Sequence, residues 1–281
     1  MSFQVYVPKG ILKEFVDSIA YISGDVMGSG VAFPRMHQVI IINLGSNFIS
    51  SDVYDISKQE LEVSETVWIN GKHDTPFMLG NKGGMAMYAI GLKLGMLPWF
   101  ANLPTNETND QVVGAENWTS REIFNLRLQL LDCTDVNSGF LLIEKYLLNM
   151  IRHRDLSNLE KIKWLSQSMY TNSVNDICRT LGVTRKKLSN EASHYFGSPV
   201  KSIQGLIRFN QTLARIANSA NSSLSSLHEY YDQSHFINDF KARTGITPLQ
   251  YKRLCQQFPE IKYTPNFIPL KKETFLQFIS A

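Results

Sequence analysis

Two stretches of this 281-residue chain follow a single plan. They are "VNDICRTLGVTRKKLSNEASHYFGSP" (174–199) and "LSSLHEYYDQSHFINDFKARTGITP" (224–248). Each reads as a short helix, a tight turn, a second helix ending at a glycine, and a Ser/Thr-Pro pair that opens a third helix. In the first copy Gly182 ends the leading helix, Thr184 caps the next, Gly197 ends it and Ser198-Pro199 opens another. In the second copy Asp232 is the cap, Gly245 the end and Thr247-Pro248 the new start. One such pattern is a common packing unit, but two in tandem commit this part of the chain to paired helix-turn-helix units.

The spacing of apolar residues predicts which sides of these helices are buried. After Thr184, Leu188, Tyr195 and Phe196 form the apolar side, while Arg185, Lys186, Ser189 and Asn190 project away and Lys187 completes the basic run. After Asp232, Phe236, Ile237 and Phe240 form the apolar side, while Ser234, His235, Asn238 and Lys241 fall on the other, with Gln233 at the exposed start of the helix. Between the units, "VKSIQGLIRFNQTLARIAN" (200–218) reads as one continuous helix of 19 residues. At 1.5 Å per residue it spans about 28 Å. Successive major grooves on one side of B-DNA lie about 34 Å apart, so a rod of this length suits two consecutive grooves.

Charge is divided along the chain. Residues 1–150 hold 10 Lys+Arg against 16 Asp+Glu, and residues 161–256 hold 13 against 5. A basic half beside an acidic one points to a polyanion-binding module. A helix that enters the major groove reads base edges with its N-terminal residues, Gln and Asn pair with adenine, and "TRKK" supplies phosphate contacts.

The first half has a different texture. "HQVIIINL" (37–44) is a β-branched apolar run of the buried-strand type, and "GGMAMYAIGLKL" (83–94) is a second strand candidate. "TVWINGKHD" alternates into Asn70-Gly71, a hairpin signal. From residue 119 the period becomes helical, with Thr119 or Ser120 as the first cap. The row Phe140, Ile143, Leu147, Met150 suits either a dimer face or burial within its own domain.

Residues 174–253 resemble the DNA-binding domain of the AraC/XylS family of bacterial transcription regulators. "YYDQSHFINDFKARTGITPLQY" carries the second motif, and "IC…LGVT…L…FG" with "LIRF" carries the first motif and the linker helix. The resemblance implies base-reading roles for Lys186, Ser189 and Asn190, then for Gln233, Ser234, His235 and Asn238. The sequence departs from the family pattern at Cys178, Asn190, Ala192, Ser225 and Glu229. "FPRMHQVIIINLG" (33–45) and residues 91–118 are similar to a cupin-like sensing domain that precedes this module in some members.

The expected fold is therefore α+β in two domains: a β-rich cupin-like barrel with flanking helices over 1–153, then an all-α tandem helix-turn-helix domain over 162–256. A linker falls at 154–161, and 257–281 is a tail expected to pack on the domain. Expected partners are double-stranded DNA and, as open alternatives, a small-molecule effector, a second copy of the chain and RNA polymerase. Trp68 and Tyr88 are the aromatic candidates to line an effector pocket.

No cofactor, metal or catalytic activity is expected. His37 and His73 lack the close pairing of a cupin metal site, and "GNKGG" (80–84) lacks the ending of a phosphate loop. The competing reading is a metal-binding or catalytic cupin whose helical half only binds protein. Three scattered cysteines suggest free thiols in a reducing compartment. With no secretory leader and no membrane-length apolar run in view, the expected location is the cytoplasm and no membrane partner is expected.

Overall fold

The structure, a computed structural model, describes residues 2–24, 29–53, 61–63, 66–81, 83–119, 121–218 and 233–280. The first half contributes ten strands: β1 (Ser2–Tyr6), β2 (Val16–Gly24), β3 (Gly30–Ala32), β4 (Val39–Asn43), β5 (Phe48–Asp52), β6 (Leu61–Val63), β7 (Val67–Asn70), β8 (Phe77–Asn81), β9 (Met85–Leu92) and β10 (Val112–Gly114). All pair antiparallel. One sheet runs β1-β2-β9-β4-β7-β10, and a second contains β3-β8-β5-β6.

The apolar run at β4 is buried on both of its faces, which explains why it does not alternate. Ile40 and Ile42 enter the large core on the helical side, while Ile41 joins Phe48, Trp68 and Met85 between the two sheets. The same alternation separates the two aromatic candidates. Trp68 faces the space between the sheets. Tyr88 faces the helices, with its ring against Phe140 and its hydroxyl donating to the Val136 carbonyl at 3.2 Å.

Two sequence expectations fail here. Asn70-Gly71 does not close a hairpin, because β7 pairs with β4 and β10 rather than with β8. Gly71 is small for another reason: a Cβ there would lie 1.8 Å from the Thr108 carbonyl oxygen. The residue permits close approach of two backbones, and turn conformation is not its role. Nor does Thr119 cap the first helix. That helix, α1 (Glu122–Leu131), starts after Arg121 with no side-chain cap, and Ser120 lies outside the described residues.

The helices that follow are α2 (Val136–Arg152), α3 (Leu159–Ser168), α4 (Val174–Leu181), α5 (Arg185–Phe196), α6 (Val200–Asn218), α7 (Gln233–Thr244) and α8 (Pro248–Gln257). On α2, Phe140, Ile143 and Leu147 are buried within the protein, so that row is core and not a free dimer face. α4 and α5 form the first helix-turn-helix. Ser173 and Thr184 cap them through backbone N–H groups three residues on, and Gly182 and Gly197 end them at φ 63° and 81°. α6 is the single 19-residue rod expected. α7 ends at Gly245, φ 74°, and α8 starts with a full capping box between Thr247 and Gln250. The leading helix of the second unit, with Asp232, Ser225 and Glu229, lies outside the described residues.

The tail folds back. β11 (Phe267–Ile268) adds to the edge of the second sheet beside β3, and α9 (Lys272–Ser280) ends the described chain. A contiguous set of buried apolar side chains runs through both halves. Trp99 packs at 5.6 Å from Tyr195 of α5, and Phe33 lies within 6.3 Å of both Tyr251 of α8 and Phe275 of α9. The fold is α+β, with a cupin-like β lobe and a helical lobe that share a core.

Candidate nucleic-acid interface and effector cavity

On α5 the buried side chains Leu188, Ala192 and Phe196 recur four apart, which turns Lys186, Lys187 and Asn190 outward. All three are exposed, whereas Ser189 sits half-buried on the flank. Arg185 is exposed but engaged: its Nη2 and Nε donate to Asn175 Oδ1 on α4 at 2.6 and 3.1 Å. His194, one turn beyond Asn190, continues the outward ridge. Its i+4 spacing from Asn190 was the available sequence signal.

On α7, Phe236, Phe240 and Thr244 are buried at the same four-residue spacing. Ser234, Asn238 and Lys241 are exposed together, as the sequence predicts. Ile237, expected on the buried side, is 36% exposed and stands at the edge of that polar ridge. At 100° per residue it lies about 40° from Lys241 and about 60° from both Ser234 and Phe240, at the border between ridge and seam. Gln233 and His235 belong to the first turn of this helix. Arg243 is turned inward. It pairs with Asp239 at 3.2 Å and lies over the Phe209 ring of α6 at 5.6 Å, fixing α7 against the rod.

Between the two sheets is a cavity of about 530 Å³. Its walls are apolar, with Ile41, Phe48, Trp68, Phe77, Leu79 and Met87. Tyr88 does not line it. The polar groups gather at one side: Arg35, Asn70, His73, Thr75 and Asp110. Asp110 occupies a left-handed conformation, φ 54°, and its Oδ1 accepts from the amides of Asp74 and Thr75 and from the Thr75 hydroxyl, at 2.8, 3.2 and 3.1 Å. His73 is stacked near Phe77 and bonded to Asn70 Oδ1 at 2.6 Å. Burial pulls its pKa down to about 3, so the ring is neutral and Nε2–H is the donor to the Asn70 carbonyl oxygen.

Arg35 stands out electrostatically. Its Nε and Nη2 are buried without a hydrogen-bond partner, and no carboxylate among the described residues is within ion-pair distance. Burial lowers its pKa to about 10, which leaves it cationic at neutral pH. The cavity thus has at one side a cation without a direct ion-pair partner, beside the carboxylate of Asp110, and largely apolar walls elsewhere. Among the described residues, no group of three His, Cys, Asp or Glu side chains is placed to hold a metal ion. No helix among them is long and apolar enough to cross a membrane.

No family model matches the sequence, and no curated protein does. Among solved structures, an apo variant of ToxT from Vibrio cholerae matches 84% of this chain and 97% of its own, at 17% identity and a TM-score of 0.41. A second ToxT structure from Vibrio cholerae, in a P21 crystal form, matches 90% of this chain and 98% of its own at 14% identity and 0.40. ToxT with an unsaturated fatty acid bound matches 83% of this chain and 94% of its own at 14% identity and 0.38. These likenesses are weak in sequence and in geometry, so the functional reading rests on the residues of this chain.

Proposed function

We propose that this protein is a sequence-specific DNA-binding transcription regulator whose β lobe takes a small effector. The observation that carries the reading is the pairing of two exposed polar ridges, on α5, which leads into the single rod α6, and on α7, which packs on that rod at Phe209. Each ridge sits on the second helix of a helix-turn-helix plan, and the segment that holds them has an excess of 8 positive charges. Such ridges suit consecutive major grooves, with Lys186 and Lys187 on phosphates and Asn190, Gln233, Ser234, His235 and Asn238 toward base edges.

The cavity supports a ligand with an apolar body and one anionic group. An apolar wall excludes polar molecules, and the charge on Arg35 lacks a counter-ion that a carboxylate would supply. This class is also consistent with the fatty acid bound by ToxT.

Selection of bound duplexes from a random pool tests the DNA reading. The expected result is an enriched site with two conserved blocks about one helical turn apart, ~10 base pairs centre to centre. Failure to enrich any sequence, with binding unaffected by salt, would sink it. For the cavity, calorimetric titration with octanoate and with 1-octanol should show binding of the acid alone, lost in Arg35→Gln. Equal binding of the alcohol would count against an anionic ligand.

A further inference from the structure

Two loops bring Arg35 and Asp110 to the cavity's polar side; the first also grips the rod α6 and the tail, and the second grips the C-terminal end of α5. The first is 33–35. The Pro34 carbonyl accepts from Asn266 Nδ2 at 2.8 Å and from Asn210 Nδ2 of α6 at 3.4 Å, and Asn266 Nδ2 also reaches Asn210 Oδ1 at 2.7 Å. Phe33 completes the grip, its amide donating to the Asn266 carbonyl at 2.7 Å, just before β11 joins β3. The next residue along is Arg35, in the cavity wall.

The second loop is 105–110. Thr105 Oγ1 donates to the Tyr195 carbonyl at 3.0 Å, and Asn109 Nδ2 donates to the Gly197 carbonyl at 2.5 Å. These side chains satisfy carbonyls that α5 leaves open at its C-terminal end. The next residue is Asp110, again in the cavity wall.

Both loops close on the same strand-like segment. Arg35 and His73 exchange backbone bonds at 2.9 and 3.1 Å, and the Asp110 amide donates to the Lys72 carbonyl at 2.8 Å. A ligand that moves Arg35 or Asp110 therefore acts one residue away from the contacts that fix α6 and α5.

We infer that the cavity sets the relative placement of the two reading helices, through Pro34 to the rod and tail and through Asn109 to the end of α5. The tail strand β11 is the strap that makes the first grip two-sided, since Asn266 bonds the β lobe and the rod at once. Both ridges are exposed with the strap in place, so the device aligns the readers and does not cover them. A ligand shifts this equilibrium only by its preference for one placement over another.

The placement itself does not depend on the DNA-binding reading, so the test measures it directly. Spin labels at Lys187→Cys and Asn238→Cys, with Cys133→Ser and Cys178→Ser in the full-length chain, report the distance between α5 and α7. The parent should give one narrow distribution that octanoate shifts or narrows. Asn109→Ala with Asn266→Ala should broaden it and abolish the octanoate response, while octanoate affinity stays within about threefold. Should octanoate not bind, Ala89→Phe fills the cavity from its wall and must shift the distribution in its place. A distribution indifferent to the grips, or to both means of filling the cavity, overturns the inference. Distances that respond in a protein with no DNA affinity would overturn the regulator reading and leave this inference standing.

Discussion

Arg185 and Asn175 are joined across the first helix-turn-helix, the guanidinium of α5 holding the side-chain oxygen of α4 at 2.6 and 3.1 Å. The contact distinguishes Arg185 from its basic neighbours, because a side chain anchored to the preceding helix has less reach. Lys186→Ala and Lys187→Ala are expected to weaken binding to every duplex alike and to lower the salt slope by about one each. Arg185→Ala should do the same less steeply. Affinities measured across a salt series check the ranking, and a selective loss at one base pair in Lys186→Ala would contradict it.

Ile237, 36% exposed, gives the second ridge an apolar point at its edge. An aliphatic group facing a major groove fits the thymine methyl. Ile237→Ala should therefore relax preference at one base pair by roughly 1–3 kcal/mol, and replacing that thymine with deoxyuridine should cost the parent affinity but leave the variant unchanged. Asn238→Ala should relax a neighbouring position by a similar amount. Competition binding with single-substituted duplexes reads both.

Gly71 and Gly182 are small for different reasons, which stability measurements separate. Gly182 has φ 63° with open space around it, so Gly182→Ala should cost about 1 kcal/mol from backbone strain alone. Gly71→Ala drives a methyl into the Thr108 carbonyl and should cost more, roughly 2–3 kcal/mol, from overpacking. Denaturant unfolding of the two variants gives the order. Equal losses would refute the close-approach account.

His73 makes stability depend on pH in a defined window. Its folded pKa is about 3 against an ordinary 6.5, so between these values the unfolded chain binds a proton that the folded one refuses. Unfolding is then favoured by acid: the contribution is intact above pH 6.5 and is lost as pH falls toward 3, at up to ~1.4 kcal/mol per pH unit. His73→Gln should flatten the stability profile across this range. A variant that keeps the parent's slope places the proton elsewhere.

Much of the helical half is legible in sequence because its signals are local. Caps, helix-ending glycines and four-residue apolar spacing act within one or two turns, and Thr184, Gly182, Gly197, Gly245 and Thr247 all occupy the positions their chemistry predicts. Ile237 departs from the expectation because it lies at the border of the apolar arc, and the seam through Phe236, Phe240 and Thr244 takes the core. In the β lobe the errors are long-range. Asn70-Gly71 carries a hairpin's chemistry, yet the neighbour of β7 is supplied forty residues later by β10.

The amino-acid order by itself determined the first helix-turn-helix unit, the rod that follows it and the limits of α7 and α8, since each follows from side-chain period and capping over a few residues. Only the tertiary structure decided that Trp68 faces a cavity while Tyr88 does not, that Arg35 Nε and Nη2 lie buried without a hydrogen-bond partner, and that the tail straps both lobes through Asn266. Those facts depend on which sheet faces which helix and on contacts between residues more than fifty positions apart. Local periodicity carries no record of them.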